Sequence, residues 1–134
     1  MYKIEKTDFG FKLTFADKIP PAEMRQWYNE SREILTSQSA PFYVFVDMRT
    51  LQPLGKEERE TMEAGQKMYK DSGMERSVVI LKSMVIGEQF KHLAKKSGIY
   101  EWERYIISEV CPEWEQVAMD WLIRAVDPDV TEPA

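Results

Sequence analysis

Two short runs constrain the fold most. Phe42-Tyr43-Val44-Phe45-Val46 and Ser77-Val78-Val79-Ile80-Leu81 are apolar at nearly every position, rich in β-branched and aromatic residues, and bounded by Pro41, Asp47 and Gly73. A strand with one wet face alternates; a strand covered on both faces does not. Both runs therefore predict central strands buried between helices. That requirement selects an α/β architecture over a sandwich or a bundle.

The flanking patterns supply the other elements. Tyr2 and Ile4 alternate with Lys3 and Glu5, and Phe11, Leu13 and Phe15 with Lys12 and Thr14. Thr7-Asp8-Phe9-Gly10 between them is a turn signal, so an N-terminal β-hairpin is expected. Pro20-Pro21 opens a helix running to about Ser37, with Met24, Trp27, Tyr28, Ile34 and Leu35 near one face. A second helix is expected from Lys56 to about Asp71, with Thr61, Met62, Gly65, Met68 and Tyr69 inward and Gly65 close against the sheet. A third follows Ser83, with Ile86, Phe90, Leu93 and Ala94 inward, and ends at Ser97-Gly98. Tyr105-Ile106-Ile107 is a short strand. Pro112 opens the last helix, in which Trp114, Val117, Ala118, Trp121, Leu122 and Ala125 recur at helical spacing. The expected order is β-β-α-β-α-β-α-β-α, a mostly parallel five-stranded sheet with four helices, in one domain over residues 1–127. Residues 128–134 are expected to fray as an acidic tail.

The chain has 134 residues, enough for a self-sufficient core, and a net charge of −5. That charge sets it against nucleic acid and anionic membrane surfaces as main partners. No run nears the ~18 apolar residues of a membrane span, and the N-terminus lacks the apolar stretch of a signal peptide, so a cytoplasmic location is expected. One cysteine, Cys111, and one histidine, His92, supply neither a disulfide nor a conventional zinc site. No nucleophile–base pair, phosphate loop or metal cluster can be assembled, so no catalytic residue and no cofactor are expected.

Two stretches remain as candidate sites. Asp47, Met48, Arg49, Thr50, Leu51 and Leu54 follow a central strand, at the carboxyl edge where open α/β sheets bind ligands. Asp47 as a turn cap and Arg49 as a solvated cation are the plain alternative. Ser83 can cap the third helix, whose first turn is Met84-Val85-Ile86. Three successive apolar residues cannot share one core stripe. With Met48, Leu51 and Leu54 they form either a docking rim or a flap that completes the core. Lys91, Lys95, Lys96 and His92 read as a solvated helix face, and Trp114 and Trp121 as core.

Several segments together resemble a known family. Asp17 with Pro21-Ala22-Glu23-Met24, the apolar run Val44-Phe45-Val46 ending in Asp47-Met48, Glu103-Arg104-Tyr105-Ile106, and Pro112-Glu113-Trp114 through Trp121-Leu122 resemble the bacterial STAS domains. The match is to their SpoIIAA-like, STAS/SEC14-type branch. The resemblance implies a SpoIIAA-like fold and a non-enzymatic interaction or regulatory module, with a protein partner or a second copy as its target. The SEC14 relation implies the alternative of a small apolar or lipid-like ligand. In regulatory STAS domains a phosphorylatable hydroxyl lies near the helix start after the central strand. Here that position is Lys56, between Gly55 and Glu57, and Thr50 lies too early. Two glutamates in that first turn would repel a phosphate, so the usual phospho-switch is expected to be missing.

Overall fold

The computed structural model describes residues 1–130. Its elements are β1 (Tyr2–Lys6), β2 (Gly10–Phe15), α1 (Pro21–Leu35), β3 (Phe42–Asp47), α2 (Lys56–Asp71), β4 (Met74–Leu81), α3 (Met84–Ser97), a 3-10 turn (Ile99–Glu101), β5 (Glu103–Ile107) and α4 (Trp114–Arg124). The five strands lie in the order β1-β2-β3-β4-β5. The β1–β2 pair is antiparallel, and the pairs β2–β3, β3–β4 and β4–β5 are parallel. The expected α/β order and the mostly parallel sheet with its hairpin edge are what the structure shows. No helix of the described residues is long and apolar enough to cross a membrane.

Each crossover steps one strand along in the same direction. Right-handed crossovers then place α1, α2 and α3 on one face. Met24, Trp27 and Leu35 of α1, Met62 and Tyr69 of α2 and Ala94 of α3 share one core cluster with Phe11, Leu13, Phe15, Val44 and Val46. The chain leaves β5 at the edge and returns under the opposite face as α4. There Ala118, Trp121 and Leu122 pack on Phe45, Val78, Ile80 and Ile106. This two-sided burial is why Phe42–Val46 of β3 and Val78–Leu81 of β4 carry no charged residue.

Three expectations need correction. Gly65 does not meet the sheet. A Cβ there would lie 2.3 Å from Cη2 and Cζ3 of Trp27, so this glycine lets α1 and α2 touch. Trp27 is wedged between Gly65, the Tyr69 ring stacked at 6.0 Å, and the edge of Phe15. Secondly, α3 is turned from its expected setting. Gly87 and Ala94 are its buried residues and Phe90 is half-buried, while Ile86 and Leu93 are exposed at 39% and 64%. Gly87 faces inward because Ile107 leaves no room there: a Cβ would fall 1.9 Å from its Cδ1. Finally, β5 starts at Glu103 and not at Tyr105, and both Glu103 and Arg104 are buried.

Gly65→Ala gives a direct check on the α1–α2 contact. Helix propensity alone would favour alanine by about 1 kcal/mol. Overlap with a ring that cannot move should reverse that and destabilise the protein by about 1–3 kcal/mol. The measurement is a lower urea midpoint at an unchanged slope.

Candidate functional site

The carboxyl ends of β3, β4 and β5 converge on one edge, where the loops at 48–55, 82–83 and 108–113 meet. Backbone N–H groups of Ser108 and Glu109 donate to the carbonyls of Leu81 and Lys82, at 2.8 and 3.3 Å. The loop after β5 therefore runs beside the entry to α3.

The loop after β3 divides its residues between the two cores. Phe42, Val44, Val46 and Met48 alternate onto the α1–α2 face. Met48 continues that alternation because its N–H still pairs with the Ile80 carbonyl at 2.9 Å. It is only 3% exposed, and does not join a rim. Leu51 and Leu54 are half-buried and pack against the same cluster. Asp47 and Arg49 turn to the α4 side. Arg49 donates Nε–H and Nη2–H to the two Asp47 oxygens at 3.0 and 2.9 Å, and its backbone N–H donates to Oδ1 at 3.0 Å. The guanidinium lies over the Trp114 ring, 4.3 Å from its centroid. Burial pushes the Asp47 carboxyl up, but the Arg49 contacts outweigh it and hold the group below the usual carboxylate range. Asp47 is thus a turn cap, as the plain reading has it, and Arg49 is pinned more firmly than a solvated cation.

The helix start that would carry a phosphoryl group is occupied from within. The Gly55 N–H donates to Glu58 Oε2 at 2.6 Å, and Glu57 takes a 2.8 Å ion pair from Arg25 on α1. Lys56, at the position of the expected hydroxyl, is exposed. A carboxylate already complements the positive end of α2.

The start of α3 is the apolar part of this edge. Ser83 Oγ accepts the Ile86 N–H at 3.3 Å, which caps the helix. Met84, Val85 and Ile86 then stand 50%, 71% and 39% exposed, beside Val110 at 55%. The sequence rim of Met48, Leu51, Leu54, Met84, Val85 and Ile86 therefore splits: the first is core, the next two line it, and the last three face outward. Val110 has no periodicity to announce it. Elsewhere, His92 and Lys96 are exposed, Lys91 pairs with Asp129 at 3.1 Å, and Lys95 lies over the Tyr100 ring.

Two functional-looking groups escaped sequence reasoning. Glu103 is wholly buried, accepting the Ser77 hydroxyl on Oε1 at 2.7 Å and the Tyr105 hydroxyl on Oε2. Burial pushes its carboxyl above the ordinary range, with the two hydroxyl donors pulling the other way. The Tyr105 hydroxyl is pushed up as well, by burial and by Glu103. On the opposite face, Arg104 holds both oxygens of Asp127, at 2.9 and 3.1 Å. Asp129 in turn accepts from Lys91 and from the Tyr100 hydroxyl. Asp127 and residues 128–130 of the expected tail are thereby tied to β5 and α3; residues 131–134 lie outside the described part.

The chain matches no family model, and no curated protein matches it. A solved structure does: an uncharacterised protein from the DUF3478 family with a SpoIIAA-like fold, from Shewanella loihica PV-4. It superposes with a TM-score of 0.64 at 14% identity, covering 91% of this chain and 92% of that one. The fold is SpoIIAA-like. At that identity the likeness speaks for architecture alone. In this SpoIIAA-like frame the edge described above is the carboxyl end of the parallel strands, with the loop after β3 closed by Glu58 and the start of α3 left apolar and open.

Proposed function

We propose that the protein is a non-enzymatic, STAS-like interaction module of the cytoplasm. It works without a phospho-switch, and docks a protein partner or a second copy through the first turn of α3. One observation carries this reading: Met84, Val85 and Ile86 are exposed in succession on a capped helix, where a soluble surface would place polar residues. Their backbone is held by Ser83 and by the close seat of Gly87 on Ile107, so the apolar tip is presented rigidly. Methionine at the tip suits adaptable contacts. Arg49, over Trp114 on the same edge, adds a rigid polar flank.

The carrier alternative needs an interior volume. Met48 and Met62 do line a cavity in the first core cluster, but its volume is about 30 Å³, roughly one water molecule. Met84 and Ile86 lie outside it. A lipid-like ligand would have to open the core in order to enter.

Val85→Asp tests the docking reading. A side chain this exposed contributes little to folding, so the variant should unfold within about 0.5 kcal/mol of wild type. It should also lose the partner, or the self-association, that native mass spectrometry detects for the wild-type protein purified from cells. Unfolding of the variant would return the turn to the core. A small co-purifying mass, retained by the variant, would favour a carrier.

A further inference from the structure

The same small cavity carries a second inference, independent of the docking surface. It lies where α1 and α2 cover β3 and β4, and most of its wall is apolar. Five residues break that wall with polar groups: Trp27, Gln66, Tyr69, Ser77 and Glu103, of which the Tyr69 hydroxyl is already paired with Ser31 Oγ at 2.8 Å. Trp27 is 1% exposed, and its Nε1–H has no acceptor among the described residues. Buried donors in folded proteins are almost always paired, with protein or with ordered water. Glu103 has the reverse surplus. Its carboxyl takes one hydroxyl on each oxygen, about half of what two such oxygens can accept.

A wholly apolar cavity of this size would stay dry. One lined by residues that carry an unpaired donor and an unsaturated acceptor is the environment in which interior waters are found. The volume matches one water and excludes a hydrocarbon ligand, since an aromatic ring needs a void several times larger, on the order of 150 Å³.

We infer that this cavity is a hydration site, holding one internal water that accepts from the Trp27 indole N–H and donates to the Glu103 carboxyl. Gln66 closes the polar side of its wall. The water completes the hydrogen bonding of both groups without either reaching solvent. It also explains how a carboxyl group and an indole N–H share a core otherwise made of Leu13, Val44, Val46 and Met62.

The test is water–protein cross-relaxation in NMR on the intact chain, read at the indole protons. Trp121 is the internal control, because its Nε1–H donates to the Ser77 carbonyl at 2.9 Å. The expected result is a cross-peak to long-lived water at the Trp27 indole and none at Trp121, with the assignment made by its loss in Trp27→Phe. It should persist in Ser77→Ala, which removes a hydroxyl able to relay exchange. Loss in a folded Ser77→Ala would mark relay and overturn the site. So would absence of the cross-peak in wild type, together with xenon-induced shifts of the Leu13 and Val44 methyls, which would show a dry cavity. A crystal structure gives the check that needs no variant: density within hydrogen-bond reach of Trp27 Nε1 supports the water, and an empty cavity overturns it.

Discussion

Glu103→Gln should make the protein more stable at pH 8 and leave it little changed at pH 4. The sign follows from where the carboxyl sits. Glu103 is wholly buried, and no cation among the described residues faces it. Ser77 and Tyr105 face it from β4 and β5, and Gln66 and Trp27 line the adjoining cavity. Lys70 of α2 donates to the Met74 carbonyl and lies over Trp102. Arg104 is engaged with Asp127 on the other face of the sheet. Burial therefore raises the folded-state value above the ordinary 4.5. Between the two values the folded protein holds a proton that the unfolded chain has lost. Stability from this group is complete below the ordinary value and drains away as pH rises through the folded one, by at most about 1.4 kcal/mol per pH unit. Glutamine keeps the shape and cannot ionise. Urea unfolding of both proteins from pH 4 to pH 9 at constant ionic strength should give curves that diverge with rising pH. Parallel curves would mean that the carboxyl is solvated, contrary to its placement.

The strands that sequence could not read are the ones that bury charge. A run such as Val78-Val79-Ile80-Leu81 can only be covered on both sides, and the order of elements follows from that. Glu103 and Arg104 head a strand of equal importance, yet two charged residues in succession look like loop. Only the register shows otherwise: Ser77 pairs with Glu103 across β4–β5, supplying the hydroxyl that makes an acid tolerable. The turn of α3 was illegible for a related reason. Periodicity weighs large apolar residues, so it sets Ile86 and Leu93 inward, whereas the contact with Ile107 admits only Gly87. That rotation exposes the first turn, and with it the candidate docking surface. At the loop after β3, by contrast, identity alone was informative. Lys56 and Glu57-Glu58 replace a hydroxyl with charge, and the structure adds only that Glu58 closes onto Gly55. Met48 belongs to the core because the alternation of β3 continues two residues beyond Val46, past the end of the apolar run.

Arg104→Met should lower stability by about 3 kcal/mol and release residues 127–130 from the sheet. The guanidinium lies between the rings of Tyr100 and Trp121, 3.8 and 4.3 Å from their centroids. It donates to both Asp127 oxygens and to the carbonyls of Tyr100 and Glu103. Methionine keeps some of the packing and none of these bonds. Asp127, at 26% exposure, can be partly rehydrated, which keeps the loss near the lower end for a broken buried pair. Asp127→Asn should therefore cost less, about 1–2 kcal/mol. Arg104→Lys should fall between the two, because an ammonium keeps the charge but loses the planar fork and the stacking. Hydrogen exchange at Asp129 and Val130 would read the release directly. The pH dependence has the opposite sign to that of Glu103. Arg104 holds the Asp127 carboxyl below its ordinary 3.8, so the pair's contribution is present above that value and is lost as pH falls through the folded one. Wild type and Arg104→Met should thus converge in acid, while wild type and Glu103→Gln diverge in base. Neighbours in a strand point to opposite faces, here into an apolar core on one side and onto a paired carboxylate on the other. Two slopes of the same sign from residues 103 and 104 would show that this register is wrong.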